Sequence, residues 1–224
     1  MNLMGVLEEF MLIEGISGYE NKIADAFKKH VECFADEIQI DKAGNVIAKF
    51  TGIEQNTQKI MIYAHMDSLG FIVRKIENCG LLQIDRLGGI PEKVLPGLNV
   101  SVRTIDGNYV PGVIAVKAHH ITPPEDKYKV DLVTNLFIDI GASNKQEVLD
   151  IGIRIGCPIV YKPYFTRLFG TRIAGTTADN RGGCAALIGI AEYLHTNRPK
   201  SDVYLVGTVW EEYNLRGAML AARK

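Results

Sequence analysis

The chain has 224 residues, of which 47% are hydrophobic and 23% charged, and its formal net charge is -1. That length holds one large domain or two small ones, and the near-neutral charge gives no electrostatic case for nucleic acid or an anionic membrane as partner. Residues 1–10 lack a signal-peptide pattern, no apolar run reaches the roughly 18 residues of a membrane span, and four scattered cysteines (Cys33, Cys79, Cys157, Cys184) with no C-x-x-C pair fit a reducing cytoplasm.

Residues 4–14 and 19–34 read as amphipathic helices, with Ile23, Ala26, Phe27, His30, Val31 and Phe34 on one stripe. Ser17 and Glu20 have capping-box spacing. Residues 45–50 and 59–64 read as strands. The second is almost wholly apolar, which predicts a sheet covered on both faces. From 71 to 139 five short runs (71–76, 81–85, 99–104, 109–116 and 132–139) alternate with Gly, Pro, Asn and Asp turns. That pattern predicts a small closed or sandwiched β module, with Asp106-Gly107-Asn108 as a hairpin turn and residues 119–129 as an exposed loop. After about residue 165 the pattern returns to α/β. Residues 181–195 read as a helix, with Gly182 and Gly183 marking close backbone approach. Residues 202–209 form an apolar strand, and a further helix starts near 215. The simplest architecture is one α/β domain made of both chain ends, interrupted by a β module.

Three segments carry potential ligands. His65 and Asp67 follow one apolar strand, Glu211 and Glu212 follow another, and Asp179 precedes a helix. Ligands of α/β sheets bind beyond the carboxyl ends of the strands. Imidazole with carboxylates suits zinc, cobalt or manganese. Two such ions about 3.5–4 Å apart share an activated water, and a free glutamate beside them moves its proton. Each piece also has a bland reading: Asp179 as a helix N-cap, and Glu211-Glu212 as a solvated helix start favoured by the dipole. His30 and His195 read as structural or solvated, His119 and His120 as loop residues, and Arg181 and Arg216 as salt-bridge donors. Trp210 either lines a pocket or packs.

From residue 60 to 218 the chain resembles the tetrahedral co-catalytic aminopeptidases, a family with deblocking and glutamyl aminopeptidases and members labelled endoglucanase. The resemblance is carried by Ala64-His65-Met66-Asp67 with Gly70-Phe71-Ile72-Val73, by Asp139-Ile140-Gly141-Ala142, by Asp179-Asn180-Arg181 with Gly183-Cys184-Ala185-Ala186, and by Val206-Gly207-Thr208-Val209 with Glu211-Glu212 and Leu215-Arg216-Gly217-Ala218. It implies a mixed-sheet, zinc-peptidase-like α/β domain, incomplete over residues 1–70 and 165–224, with an inserted small β-barrel-like domain at 71–164. It also implies two divalent metal ions, zinc or cobalt. His65 would bind one ion, Glu212 the other, and Asp179 both; Glu211 would be the general base, and Asp67 would hydrogen-bond and orient His65. The implied substrates are peptides, cleaved at the N-terminal residue, and the implied assembly is a homo-oligomer. The family's further Asp and His ligands have no counterpart within these residues, so partial metal occupancy is expected. A non-catalytic, self-associating remnant is the alternative. Tyr213-Asn214 stands where the family commonly has a small residue and Gly. A glycosidase reading fits less well, because adjacent Glu211 and Glu212 do not flank a sugar bond.

Overall fold

The computed structural model describes residues 1–54 and 57–223. The chain divides into two compact units, Met1–Ser68 with Pro163–Lys224, and Leu69–Lys162. The first unit opens with α1 (Leu3–Leu12) and α2 (Asn21–Val31), then β1 (Glu37–Ile40), β2 (Val46–Phe50) and β3 (Ile60–His65). The Asn2 side chain caps α1 by accepting from the Gly5 amide. α2 buries Ile23, Ala24, Phe27 and Val31 and ends in Lys28, Lys29 and His30, where the helix dipole favours cations. The capping box does not form. Glu20 is the N-cap and makes no side-chain cap bond; the Ser17 hydroxyl donates to Asp67 instead, and the Glu20 carboxylate accepts from the Trp210 amide. A distant partner takes the Ser17 hydroxyl, while Glu20 adds a distant amide to the local Gly18 amide and its own.

The second unit holds β4 (Gly70–Ile76), β5 (Leu82–Leu87), β6 (Asn99–Arg103), β7 (Tyr109–Ala115), β8 (Phe137–Asp139), the short α3 (Lys145–Asp150) and β9 (Pro158–Tyr161). The strands close into a barrel in the order β4-β5-β8-β7-β6-β9. Alternate residues point inward, among them Phe71, Val73, Leu82, Ile84, Val100 and Val102. Gly107, at φ 86, turns β6 into β7. The strand predicted at 132–139 is shorter: Val133–Asn135 form a 3-10 turn, and only Phe137–Asp139 join the ladder. Residues 119–129 form turns with mostly exposed side chains.

The first unit resumes with the hairpin β10 (Phe165–Arg167) and β11 (Ile173–Gly175), then α4 (Ala178–Thr196), β12 (Val203–Thr208) and α5 (Arg216–Ala221). Its sheet runs β1-β2-β12-β3, with β12 antiparallel to β2 and parallel to β3. The fold is therefore α/β with a mixed sheet and a barrel-like module. One sheet face packs on α1, α2 and α4 through Phe10, Phe27, Ala48, Phe50, Leu205 and Ile188. On the other face Ala221 of α5 meets Ile47 and Val206. The expectation that β3 is covered on both faces is corrected: among the described residues it is an edge strand, and Ile60, Ile62 and Tyr63 are 46%, 37% and 46% exposed. An apolar run signals burial only when partners lie on both sides.

Candidate active site

Parallel pairing of β12 with β3 sets Thr208 opposite His65. Both strands therefore deliver their carboxyl ends to the same edge. His65 closes β3, and the turn carrying Glu211 and Glu212 follows β12. This turn is a 3-10 segment bounded by left-handed residues: Trp210 (φ 57) before it, Asn214 (φ 64) and Leu215 (φ 58) after it. Asparagine tolerates that conformation better than most side chains, so position 214 keeps the turn without glycine. Gly217 lets the chain leave it, because a Cβ there would lie 2.0 Å from the Val209 carbonyl oxygen.

Asp179 arrives at the amino end of α4. The N-cap is Thr177, at φ 62, and Asp179 and Asn180 have non-helical dihedrals across a cis peptide. Asp179 is thus not the cap, and its side chain is 93% exposed. Gly183 permits close approach, since a Cβ would meet Asn180 Oδ1 at 2.3 Å and the Ala64 Cβ at 2.9 Å. Gly182, paired with it in the sequence reading, has open space.

The side chains converge on His65, which is 8% exposed. Its Nδ1 lies 2.9 Å from the Asp67 carbonyl oxygen, a donor contact that leaves Nε2 facing Asp179 Oδ1 at 3.1 Å and Glu211 Oε2 at 3.9 Å. The Asp67 carboxylate lies beside the ring without hydrogen-bonding it, Oδ1 3.7 Å from Nδ1. It accepts from the Ser17 hydroxyl and from the amides of Glu211 (3.1 Å) and Glu212 (3.2 Å). Burial works against a charged His65, yet Asp67 and Glu211 carry its pKa up to about 9. Burial likewise opposes the Asp67 charge, but His65, Ser17 and the two amides hold its pKa below the usual aspartate range. Partial burial, then the charges of Glu211 and Asp67, push the Glu212 carboxyl upward.

This donor set fits a divalent cation in its chemistry. An imidazole nitrogen and a carboxylate oxygen 3.1 Å apart are spaced as two ligands of one tetrahedral ion at about 2.0–2.2 Å from each. The carboxylates of Glu211 and Glu212 add negative charge beside them. Among the described residues, however, no three His, Cys, Asp or Glu side chains gather closely enough to hold a metal ion.

Sequence reasoning missed the frame behind these groups. Asn45 accepts from the Val209 amide at 3.0 Å and donates to the Gly217 carbonyl at 3.0 Å, pinning both ends of the Glu211–Glu212 turn. Among the described residues Arg181 makes no salt bridge. Fully buried, it donates to the carbonyls of Phe10 (3.0 Å) and Gly15 (3.3 Å), and burial pushes its pKa down to about 10. No local pattern marks such long-range contacts. His30 pairs with Glu9 at 2.9 Å, and His195 meets the Phe34 carbonyl at 3.0 Å, both structural. Trp210 packs against the core of the first unit. His119 and His120 lie in the barrel unit.

A family model described as M42 glutamyl aminopeptidase matches residues 44–224. The lysyl aminopeptidase of Pyrococcus furiosus is 36% identical over 93% of this chain and 59% of its own length. The TET aminopeptidase structure from a marine sediment Thaumarchaeota archaeon superposes with a TM-score of 0.92 at 34% identity, covering 100% of this chain and 63% of that one. The TET1 peptidase of Pyrococcus horikoshii, described as assembling into a tetrahedron or a large octahedral shell, gives 0.88 at 32% identity over 99% and 65%. The chain spans 56%, 59% and 60% of the length of three curated relatives.

Proposed function

This chain belongs to the M42 glutamyl aminopeptidase family, and from that membership we propose that its residues serve metal-dependent removal of N-terminal residues from peptides. The observation that carries the reading is His65 Nε2 aimed at Asp179 Oδ1, 3.1 Å away, with Glu211 3.9 Å from the same nitrogen. In this reading His65 would hold one divalent ion, zinc or cobalt, Glu212 would hold a second, and Asp179 would serve both. Bound metal supplies a polarised carbonyl and a more acidic water. Glu211 would be placed to accept a proton from the attacking water and to return it to the leaving amine. Asp67 fixes the imidazole through its carbonyl and the Glu211–Glu212 turn through its carboxylate.

The same reading treats residues 1–70 with 165–224 as the catalytic domain and 71–164 as a module that serves self-association. A homo-oligomer is supported by the assembly described for the similar Pyrococcus horikoshii peptidase. The four unpaired thiols support a cytoplasmic location. No described helix is long and apolar enough to cross a membrane.

The test is hydrolysis of aminoacyl substrates and short peptides by the protein that carries these residues, loaded with zinc or cobalt. Release of the N-terminal residue that stops with chelation and with Glu211→Gln supports the reading. Hydrolysis untouched by Glu211→Gln sinks it. A second reading, a self-associating protein with little metal binding, is favoured by one observation: no three donors gather among the described residues. Submicromolar binding of two metal ions by the 224-residue chain rejects that alternative.

A further inference from the structure

We propose that Ser17 and Glu20, on the loop between α1 and α2, are positioning residues that set the Glu211–Glu212 turn; their catalytic consequence rests on the functional reading above. Three successive amides of the turn donate to carboxylates from elsewhere in the chain. Trp210 donates to Glu20 Oε1 at 3.2 Å, Glu211 to Asp67 Oδ1 at 3.1 Å and Glu212 to Asp67 Oδ2 at 3.2 Å. The turn has no side-chain cap of its own. Ser17 donates its hydroxyl to Asp67 Oδ2, the same oxygen that takes the Glu212 amide. One hydroxyl therefore stands directly behind the acceptor that orients Glu212.

Burial makes these contacts consequential. Ser17 is 3% exposed, Glu20 5% and Asp67 0%, and a buried carboxylate is costly unless its oxygens are hydrogen-bonded. The loop is tied to its neighbours as well. The Gly15 carbonyl accepts from the Ser68 amide (3.1 Å), the Ser68 hydroxyl (3.0 Å) and Arg181 Nη2 (3.3 Å). Loop, Asp67 and turn thus form one hydrogen-bonded frame, with the Glu211 carboxylate 3.9 Å from His65 Nε2 at its edge. Ser17 is not spent on the first amides of α2, which receive no side-chain cap bond, and Glu20 accepts from the Trp210 amide in addition to the Gly18 amide and its own.

The test is amide hydrogen exchange on the 224-residue chain. Ser17→Ala is expected to speed exchange at Glu211 and Glu212 about five- to tenfold, the equivalent of one ordinary hydrogen bond, with Trp210 and α4 unchanged. Glu20→Ala is expected to do the reverse, exposing Trp210 and sparing Glu211 and Glu212. Ser17→Thr and Glu20→Gln keep the donor and the acceptor and should restore protection. If Ser17→Ala does not fold, Ser17→Cys, a weak donor of similar size, takes its place with the same expectation. Unchanged exchange at 210–212, uniform acceleration through β12 and α4, or failure of Thr and Gln to restore overturns the proposal. In an active preparation Ser17→Ala is further expected to lower kcat with KM unchanged. Absence of hydrolysis by the wild type would count against the functional reading, while the exchange pattern still decides the frame.

Discussion

Asp67 holds His65 through its backbone and not its carboxylate: His65 Nδ1 is 2.9 Å from the Asp67 carbonyl oxygen and 3.7 Å from Oδ1. The two halves of one residue therefore do separate jobs. The carbonyl fixes the imidazole, and the carboxylate collects the amides of Glu211 and Glu212. Asp67→Asn keeps the carbonyl but turns one oxygen into a donor that faces an N–H. The expected loss is about 1–3 kcal/mol of stability, the cost of unsatisfied buried hydrogen-bonding groups, read by urea unfolding. The His65 ring, followed by nitrogen NMR above its pKa of about 9 where the neutral form dominates, should keep its proton on Nδ1. Loss of that tautomer in Asp67→Asn would show that the carboxylate, after all, sets the ring.

Close packing around Gly217 gives a second expectation. Gly217→Ala places a Cβ 2.0 Å from the Val209 carbonyl oxygen and 2.7 Å from Asn45 Oδ1. Neither partner is a flexible side-chain tip free to swing away, since Asn45 is fully buried and bonded at both ends. Gly217→Ala should destabilise by about 1–3 kcal/mol or more, the usual range for overpacking. Gly182→Ala, with nothing within 4 Å, is its control and should leave the unfolding midpoint within about 0.5 kcal/mol of wild type. Equal midpoints for the two variants would show that the turn relaxes freely.

Much of this architecture is legible in the sequence, for physical reasons that differ by element. The barrel strands announce themselves because alternation at period two is what a one-sided core demands, as in Phe71, Val73 and Leu82, Ile84. His65, Asp67, Glu211 and Glu212 stand out because they follow strands at the edge where an α/β sheet collects ligands, and Asp179 because it sits where a helix begins. β1 escapes notice, since a four-residue strand with three exposed positions has no apolar period. β3 misleads in the opposite sense: its apolar run suits a covered strand, yet Ile60, Ile62 and Tyr63 face outward. Ser17 and Glu20 match a local capping pattern while serving partners 50 and 190 residues away. Spacing along the chain carries no trace of such pairings.

Arg181 tests how a buried cation is tolerated. It is fully buried, donates to two backbone carbonyls, and its Nε has no hydrogen-bond partner among the described residues. Arg181→Lys keeps the charge but does not offer two forked donors at once. The expected cost is about 1.5–3 kcal/mol, that of a lost hydrogen bond to a charged group, together with faster amide exchange through residues 10–17. A Lys variant as stable as wild type would show that charge alone, near Asp67 and Glu20, suffices.

Thiol chemistry should divide the cysteines into two pairs. Cys33 and Cys79 are exposed, Cys157 and Cys184 buried. Burial pushes the Cys184 thiol up to about 12, so almost no thiolate exists there at pH 8. Native protein should therefore react quickly with two equivalents of a thiol reagent, and unfolded protein with four. Rapid modification of Cys184 in the native state would mean that α4 opens from β3 far more often than a packed core allows.

The acid limb of stability should involve Asp36. Arg198, hydrogen-bonded to its carboxylate, holds the Asp36 pKa below the ordinary value of 3.8, with the Thr51 amide assisting. A carboxyl whose folded pKa is depressed binds its proton less readily folded than unfolded. Its contribution is therefore present above the unfolded value, near pH 4, and is lost as pH falls through the lower folded value. Wild type should exceed Arg198→Ala in stability at pH 7 by a small margin, because the pair is partly exposed and screened by water. That margin should shrink below about pH 4 and narrow in high salt. A difference that grows on acidification would mean that Arg198 stabilises the fold through packing of its stem and not through Asp36.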